Sequence, residues 1–235
     1  MIDRDTASPE SALTLRRALI FGGSGLVGRA VIDQLLADPI YLSVTAMVRR
    51  PIAEYNPRLV QRGLDFELLP TQTLPEADDV YCCLGTTIKA AGSRAAFQLV
   101  DHHYVALSAM AGARCGAKRF GLVSAAGARA DSRIFYNRVK GEIEADVAKL
   151  GYTALVIARP SFLVGDREQL GQTARAGEGW ALRVLKPLAP VLPARIRPIA
   201  ATSVARALVK VVETTHTGVR ILESDELGRI GDLRY

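Results

Sequence analysis

With 235 residues, of which 49% are hydrophobic and 23% charged, the chain can bury a sizeable core within a single domain. The formal net charge of +6 comes from arginines and lysines scattered along the chain, so a solvated basic surface is expected and no nucleic-acid partner. No run approaches the ~18 apolar residues of a membrane span, the opening Met1-Ile2-Asp3-Arg4-Asp5-Thr6 lacks the apolar stretch of a secretory signal, and a cytoplasmic location is expected.

Residues 1–14 are polar and include Pro9, which reads as a loose extension ahead of a domain spanning 15–235. Leu19-Ile20-Phe21-Gly22-Gly23-Ser24-Gly25-Leu26-Val27-Gly28 then reads as a buried strand turning on glycines into a helix, continued by Ala30, Val31, Leu35 and Leu36 at helical spacing. The spacing of Gly22, Gly25 and Gly28 suits a tight turn, a close approach of backbone to a pyrophosphate, and close packing of helix on strand. Unpaired N–H groups and the helix dipole at such a helix start favour an anion.

Further strands are expected at 42–48, 64–68, 80–84, 119–124, 153–158 and 218–222, with helices over about 94–114, 134–150 and 203–213. In the first of these helices the inward stripe is read as Phe97, Val100, Tyr104, Leu107 and Ala111. Strands alternating with helices predict an α/β, doubly wound parallel sheet, the Rossmann fold. Residues 161–198, rich in Pro, Gly and Arg and holding Trp180, follow the sixth strand as a small irregular substrate lobe or lid. The three cysteines, two of them adjacent at Cys82 and Cys83, have neither disulfide-framework nor metal-site spacing and are expected to be buried thiols. No metal is expected: adjacent helical residues such as Asp101-His102-His103 point about 100° apart, and Glu142, Glu144 and Asp146 are read as the wet face of their helix.

At the end of the second strand stands Arg49-Arg50, where an NAD enzyme carries an acidic residue for the ribose 2′-hydroxyl. A guanidinium grips a 2′-phosphate instead, so NADP(H) is expected before NAD. Asp65 is placed to accept from the adenine amino group, and Gly85, Thr86 and Thr87 to flank the nicotinamide ribose. Tyr136 and Lys140 fall one helical turn apart, a pairing in which the ammonium favours phenolate and readies the tyrosine for proton transfer. Ser124, at the end of the fifth strand, is placed to hydrogen-bond the same substrate oxygen.

The glycine turn, Ser124, Tyr136-Asn137-Arg138-Val139-Lys140 and Arg159-Pro160 followed by Gly165 together resemble the extended and atypical short-chain dehydrogenase/reductases. More narrowly, Cys82-Cys83-Leu84-Gly85-Thr86-Thr87, Val123-Ser124-Ala125-Ala126-Gly127-Ala128 and Lys140-Gly141-Glu142 are similar to the Tat-interacting-protein branch, described as oxidoreductase-like and NADPH-binding. The resemblance implies a catalytic set of Ser124, Tyr136 and Lys140. It also implies cofactor contacts from Gly22, Ser24, Gly25, Leu26, Val27, Gly28, Arg49, Arg50, Asp65, Phe66, Leu84, Gly85, Thr86, Thr87, Tyr136, Lys140, Pro160, Ser161 and Phe162. The chain departs from the pattern at Ala125, where relatives often have a second serine, and in lacking an evident tetrad asparagine; Asp101 lies in that helix with no role assigned. The expected activity is hydride transfer to or from a small carbonyl or alcohol, in a monomer or homodimer. The alternative is an NADP(H)-sensing protein that recruits a protein partner with little turnover.

Overall fold

The computed structural model describes residues 15–165 and 193–233; the N-terminal extension, Trp180 and most of the expected lobe lie outside the described residues. In chain order the elements are β1 (Arg16–Phe21), α1 (Leu26–Ala37), β2 (Tyr41–Val48), β3 (Leu59–Gly63), β4 (Asp79–Cys82), α2 (Ile88–Ala91) and α3 (Arg94–Gln98). A π-helical segment (Leu99–Tyr104) leads into α4 (Val105–Arg114), then β5 (Arg119–Val123), α5 (Phe135–Ala148), β6 (Ala154–Arg159) and β7 (Leu163–Val164). A 3-10 turn (Ala194–Ile196), β8 (Ile199–Ala200), α6 (Ala201–Thr214), β9 (Gly218–Glu223) and α7 (Ser224–Gly231) complete the described chain.

Seven strands form one sheet in the order β3-β2-β1-β4-β5-β6-β9, every neighbouring pair parallel. Parallel neighbours require crossovers that cover both faces, and β1 shows the result. Ala18 and Ile20 pack on one face with Val31 and Leu35 of α1 and Val204, Leu208 and Val212 of α6. Leu19 and Phe21 pack on the other with Val105 and Ala109 of α4 and Ile143 and Val147 of α5. The strand order reverses between β1 and β4, and in open α/β sheets that reversal opens a crevice at the strands' carboxyl ends. The amino ends are closed differently: fully buried Asp79 accepts from Tyr41 Oη at 2.9 Å and from the guanidinium of Arg119.

Three expectations are corrected. The third strand is Leu59–Gly63, not residues 64–68. The alternation in Asp65-Phe66-Glu67-Leu68 belongs to a turn in which Asp65 Oδ1 accepts from the Glu67 amide at 2.9 Å and the Leu69 amide returns to the Asp65 carbonyl at 3.0 Å. The helix over residues 94–114 is not uniform: its π segment shifts the register, so Asp101, Val105, Ser108 and Ala109 are buried together with Phe97 while Val100 is only partly covered. Glu144 is not on the wet face of α5; it is 6% exposed and binds Arg159 through both oxygens, at 3.1 and 2.6 Å. A single turn of α5 is thereby pinned to the end of β6, beside Pro160.

Candidate active site and cofactor crevice

The glycine turn sits at the carboxyl end of β1. Gly22 adopts φ +80°, and a Cβ there would lie 2.7 Å from the Cys83 carbonyl carbon, so this turn and the loop after β4 touch. A Cβ on Gly28 would lie 2.1 Å from the Gly22 carbonyl oxygen. α1 starts at Leu26 with Gly25 as its N-cap and no side-chain cap, leaving the first amides of the helix to an outside acceptor. This cradle fits the pyrophosphate of a dinucleotide. Ser24 is exposed on the turn, Val27 is turned into the core, and Leu26 meets Gly165.

Arg49 and Arg50 follow β2 and are both exposed. Arg49 lines a cleft of about 500 Å³ with Asp65, Leu68 and Gln72. Phe66 gives its side chain to the core, stacked on Tyr104 with centroids 3.9 Å apart, so only its backbone is left to face a ligand. Leu84 packs against the second core layer, and Thr87 caps α2 through its hydroxyl, which accepts from the Ala90 amide at 3.1 Å.

Ser124, Tyr136, Pro160, Ser161 and Phe162 converge on a second pocket of about 460 Å³, together with Thr87, Ile88 and Ile196. Ser124 is 7% exposed, and its Oγ has no hydrogen-bond partner among the described residues. Burying a hydroxyl without a partner costs about 1–3 kcal/mol, which a ligand oxygen in this pocket would offset. The Tyr136 ring leans on buried Phe97 at 5.1 Å. α5 can pass this close to the loop after Ser124 because position 141 is glycine: a Cβ there would meet the Arg129 backbone at 2.1 Å. The Arg129 amide in turn donates to the Asn137 carbonyl at 3.0 Å. Ser161 turns its hydroxyl to the Arg197 carbonyl, so it borders the pocket through its backbone and Cβ.

Lys140 is behind the pocket, 3% exposed, with Nζ 2.8 Å from Asp101 Oδ1. Asp101 Oδ2 accepts from the Thr86 amide at 2.8 Å. Burial alone would lower the ammonium's pKa, but Asp101, with a smaller contribution from Tyr136, raises it above the usual lysine value. Asp101 is the residue of this cluster that sequence reasoning left unassigned. Its signal was an acid in the inward stripe one turn after Phe97, a position that is seldom charged unless the charge is paired. His102, its neighbour, points elsewhere and meets Asp146 at 3.1 Å. The cysteines are free among the described residues, and burial pushes the Cys82 thiol up to about 12.

No protein-family model matches the chain. Rat "Protein HTATIP2" is 32% identical over 240 residues, spanning 96% of this chain and 96% of the relative. "Protein FMP52, mitochondrial" of Candida albicans is 33% identical over 186 residues, spanning 72% and 80%. Among solved structures, human epimerase family protein SDR39U1 with NADPH matches with a TM-score of 0.58 at 18% identity, covering 88% of this chain and 72% of that one. MoeE5 in complex with UDP-glucose and NAD matches with a TM-score of 0.65 at 15% identity, covering 88% and 75%. The structural likenesses establish the Rossmann-type fold, and the rat relative matches nearly end to end. The chain belongs to the HTATIP2 family of atypical short-chain dehydrogenase/reductases.

Proposed function

We propose that this protein is an NADP(H)-dependent oxidoreductase acting on a small carbonyl compound or alcohol. The observation that carries the reading is the buried, unpartnered Ser124 hydroxyl opening into the same pocket as Tyr136, at the carboxyl ends of the strands. When bound, the nicotinamide supplies or accepts the hydride. Gly22, Gly25 and the first amides of α1 would hold the pyrophosphate, Arg49 and Arg50 the 2′-phosphate, and Lys140 the nicotinamide ribose.

Ser124 orients the substrate oxygen by donating to it. Tyr136 Oη donates a proton to that oxygen in reduction and takes it back in oxidation. Phe97 fixes the tyrosine ring against which this transfer is aligned. Fold neighbours solved with NADPH and with NAD support a nicotinamide cofactor, and the arginines in place of a carboxylate at the end of β2 support NADP(H) over NAD.

A second reading, an NADP(H)-sensing protein with little turnover, draws support from Asp101, which satisfies the Lys140 ammonium within the fold. NADPH titration followed by a carbonyl panel with wild type and Tyr136→Phe separates the two. The oxidoreductase reading expects turnover that falls at least a hundredfold in Tyr136→Phe; turnover surviving that change defeats the assignment, and cofactor binding without any turnover favours the sensor. No described helix is long and apolar enough to cross a membrane. We place the protein in the cytoplasm, and because the fungal relatives are named mitochondrial, cell fractionation is the deciding measurement.

A further inference from the structure

The two arginines that follow β2 are held from both sides. Upstream, the Val48 carbonyl accepts from the Leu64 amide at 2.9 Å, joining the end of β2 to the chain just past β3. Downstream, the side chain of Gln61 in β3 takes both backbone groups of Ile52. Its Oε1 accepts from the Ile52 amide at 2.8 Å, and its Nε2 donates to the Ile52 carbonyl at 2.9 Å. A primary amide, with an acceptor and two donors, matches one residue's N–H and C=O as a neighbouring strand would. Gln61 stands opposite Ala46, on the face of the sheet that α1 covers, and Ile52 packs against that same layer. Only Arg49, Arg50 and Pro51 lie between the two fixed points, and a proline narrows its own backbone freedom and that of the residue before it. A second brace follows two residues on, where Glu54 Oε2 accepts from Arg29 Nη2 at 2.6 Å with both side chains more than half covered. Arg29 comes directly after Gly28 in α1, the helix whose first amides are left to an outside acceptor.

The pyrophosphate and the 2′-phosphate of NADP(H) hang from one ribose, so the groups that hold them must keep a fixed spacing. The Arg29–Glu54 pair ties the arginine loop to α1, and Gln61 ties it to β3. A loop already held in its binding conformation loses less of its contact energy to ordering. Resting on the proposed reading of Arg49 and Arg50 as the grip on the 2′-phosphate, we infer that Gln61 is a positioning residue for cofactor choice. Through Ile52 it fixes the short span that carries the two arginines, and so strengthens the preference for NADPH over NADH without touching either cofactor.

The test measures the Kd for NADPH and for NADH by calorimetric titration of the full chain. The variants are Gln61→Met, which keeps the side chain's length and loses both hydrogen bonds, Arg49→Ala with Arg50→Ala, and all three changes together. Gln61→Met should weaken NADPH about three- to tenfold and NADH less than about twofold. In the background lacking both arginines the same change should move NADPH less than about twofold, because a residue that acts through the arginines then has nothing to position. Pro51→Gly, at an exposed site in the span itself, should weaken NADPH about two- to fourfold and leave NADH unchanged. Equal losses for both cofactors in Gln61→Met reduce the amide to a brace of the fold and overturn the inference. Full NADPH affinity in that variant, or an undiminished effect in the background lacking the arginines, also overturns it. Where Gln61→Met does not fold, Pro51→Gly decides in its place, and unchanged NADPH affinity or an equal loss of NADH overturns the inference. Full NADPH affinity after loss of both arginines is the separate failure of the underlying reading, and the inference falls with it.

Discussion

Lys140 and Asp101 form an ion pair at 2.8 Å, with side chains 4% and 0% exposed. The pair joins the helix that carries Tyr136 to the loop after β4, because the other Asp101 oxygen holds the Thr86 amide. A buried cation beside a buried anion is stable only while both are present. Asp101→Asn should therefore leave burial unopposed and drop the Lys140 titration below the usual lysine range, as read from the lysine Cε resonance assigned with Lys140→Arg. Asp101→Ala should cost about 3–5 kcal/mol in urea unfolding. An unchanged Lys140 titration in Asp101→Asn would show that another anion holds the ammonium.

Gly28 tests the cradle. Its missing Cβ would stand 2.1 Å from the Gly22 carbonyl oxygen, a distance no relaxation of a side chain can relieve. Gly28→Ala should lower stability by about 1–3 kcal/mol and weaken NADPH at least tenfold in a calorimetric titration. Full affinity in a folded variant would place the pyrophosphate elsewhere.

Replacing Arg49 and Arg50 together by alanine should raise the Kd for NADPH ten- to a hundredfold, about 1.4–2.8 kcal/mol, while moving that for NADH less than threefold. The discrimination follows from the single extra phosphate. Equal losses for both cofactors would assign the arginines to the fold and not to the 2′ position.

Glu213 sets a pH dependence at the opposite end of the sheet. Burial, then the charge of Asp38, pushes its carboxyl from 4.5 up to about 7. A raised carboxyl pKa means the folded state keeps a proton that the unfolded chain releases. The stabilising contribution is whole below about pH 4.5 and is lost as pH climbs through 7. Glu213→Gln should accordingly be more stable than wild type at pH 8 by about 1–2 kcal/mol, after discounting for partial exposure, and the gap should close toward pH 5. Thermal melts at the two pH values measure it.

The central strands were legible because parallel strands covered on both faces must be apolar throughout, as Leu19-Ile20-Phe21 and Leu155-Val156-Ile157 are. β3 was not: it pairs on one side only and exposes Val60, Arg62 and Gly63, so its sequence carries little of that signal, whereas an aspartate-initiated turn just beyond it imitates strand alternation. The glycine turn, Ser124, Tyr136 and Lys140 have short-range spacing that reading along the chain detects. Asp101 and Glu144 owe their roles to partners far off in sequence, Lys140 and Arg159, and only folding brings these together.

The π segment between α3 and α4 holds one residue more per turn than its flanks. Upstream of it Phe97 faces Tyr136; downstream Val105 and Ala109 face the sheet; Asp101 occupies the turn that reconciles the two phases. Because the wider π turn absorbs about one extra residue, removing one residue from 99–104 would let the segment close as an ordinary helix with its two halves still facing as they do, and would take away the bulge in which Asp101 sits. The extra residue thus leaves the flanking faces aligned and makes room between them for one buried acid, so at this place the identity of residue 101 weighs more than the outline of the helix around it.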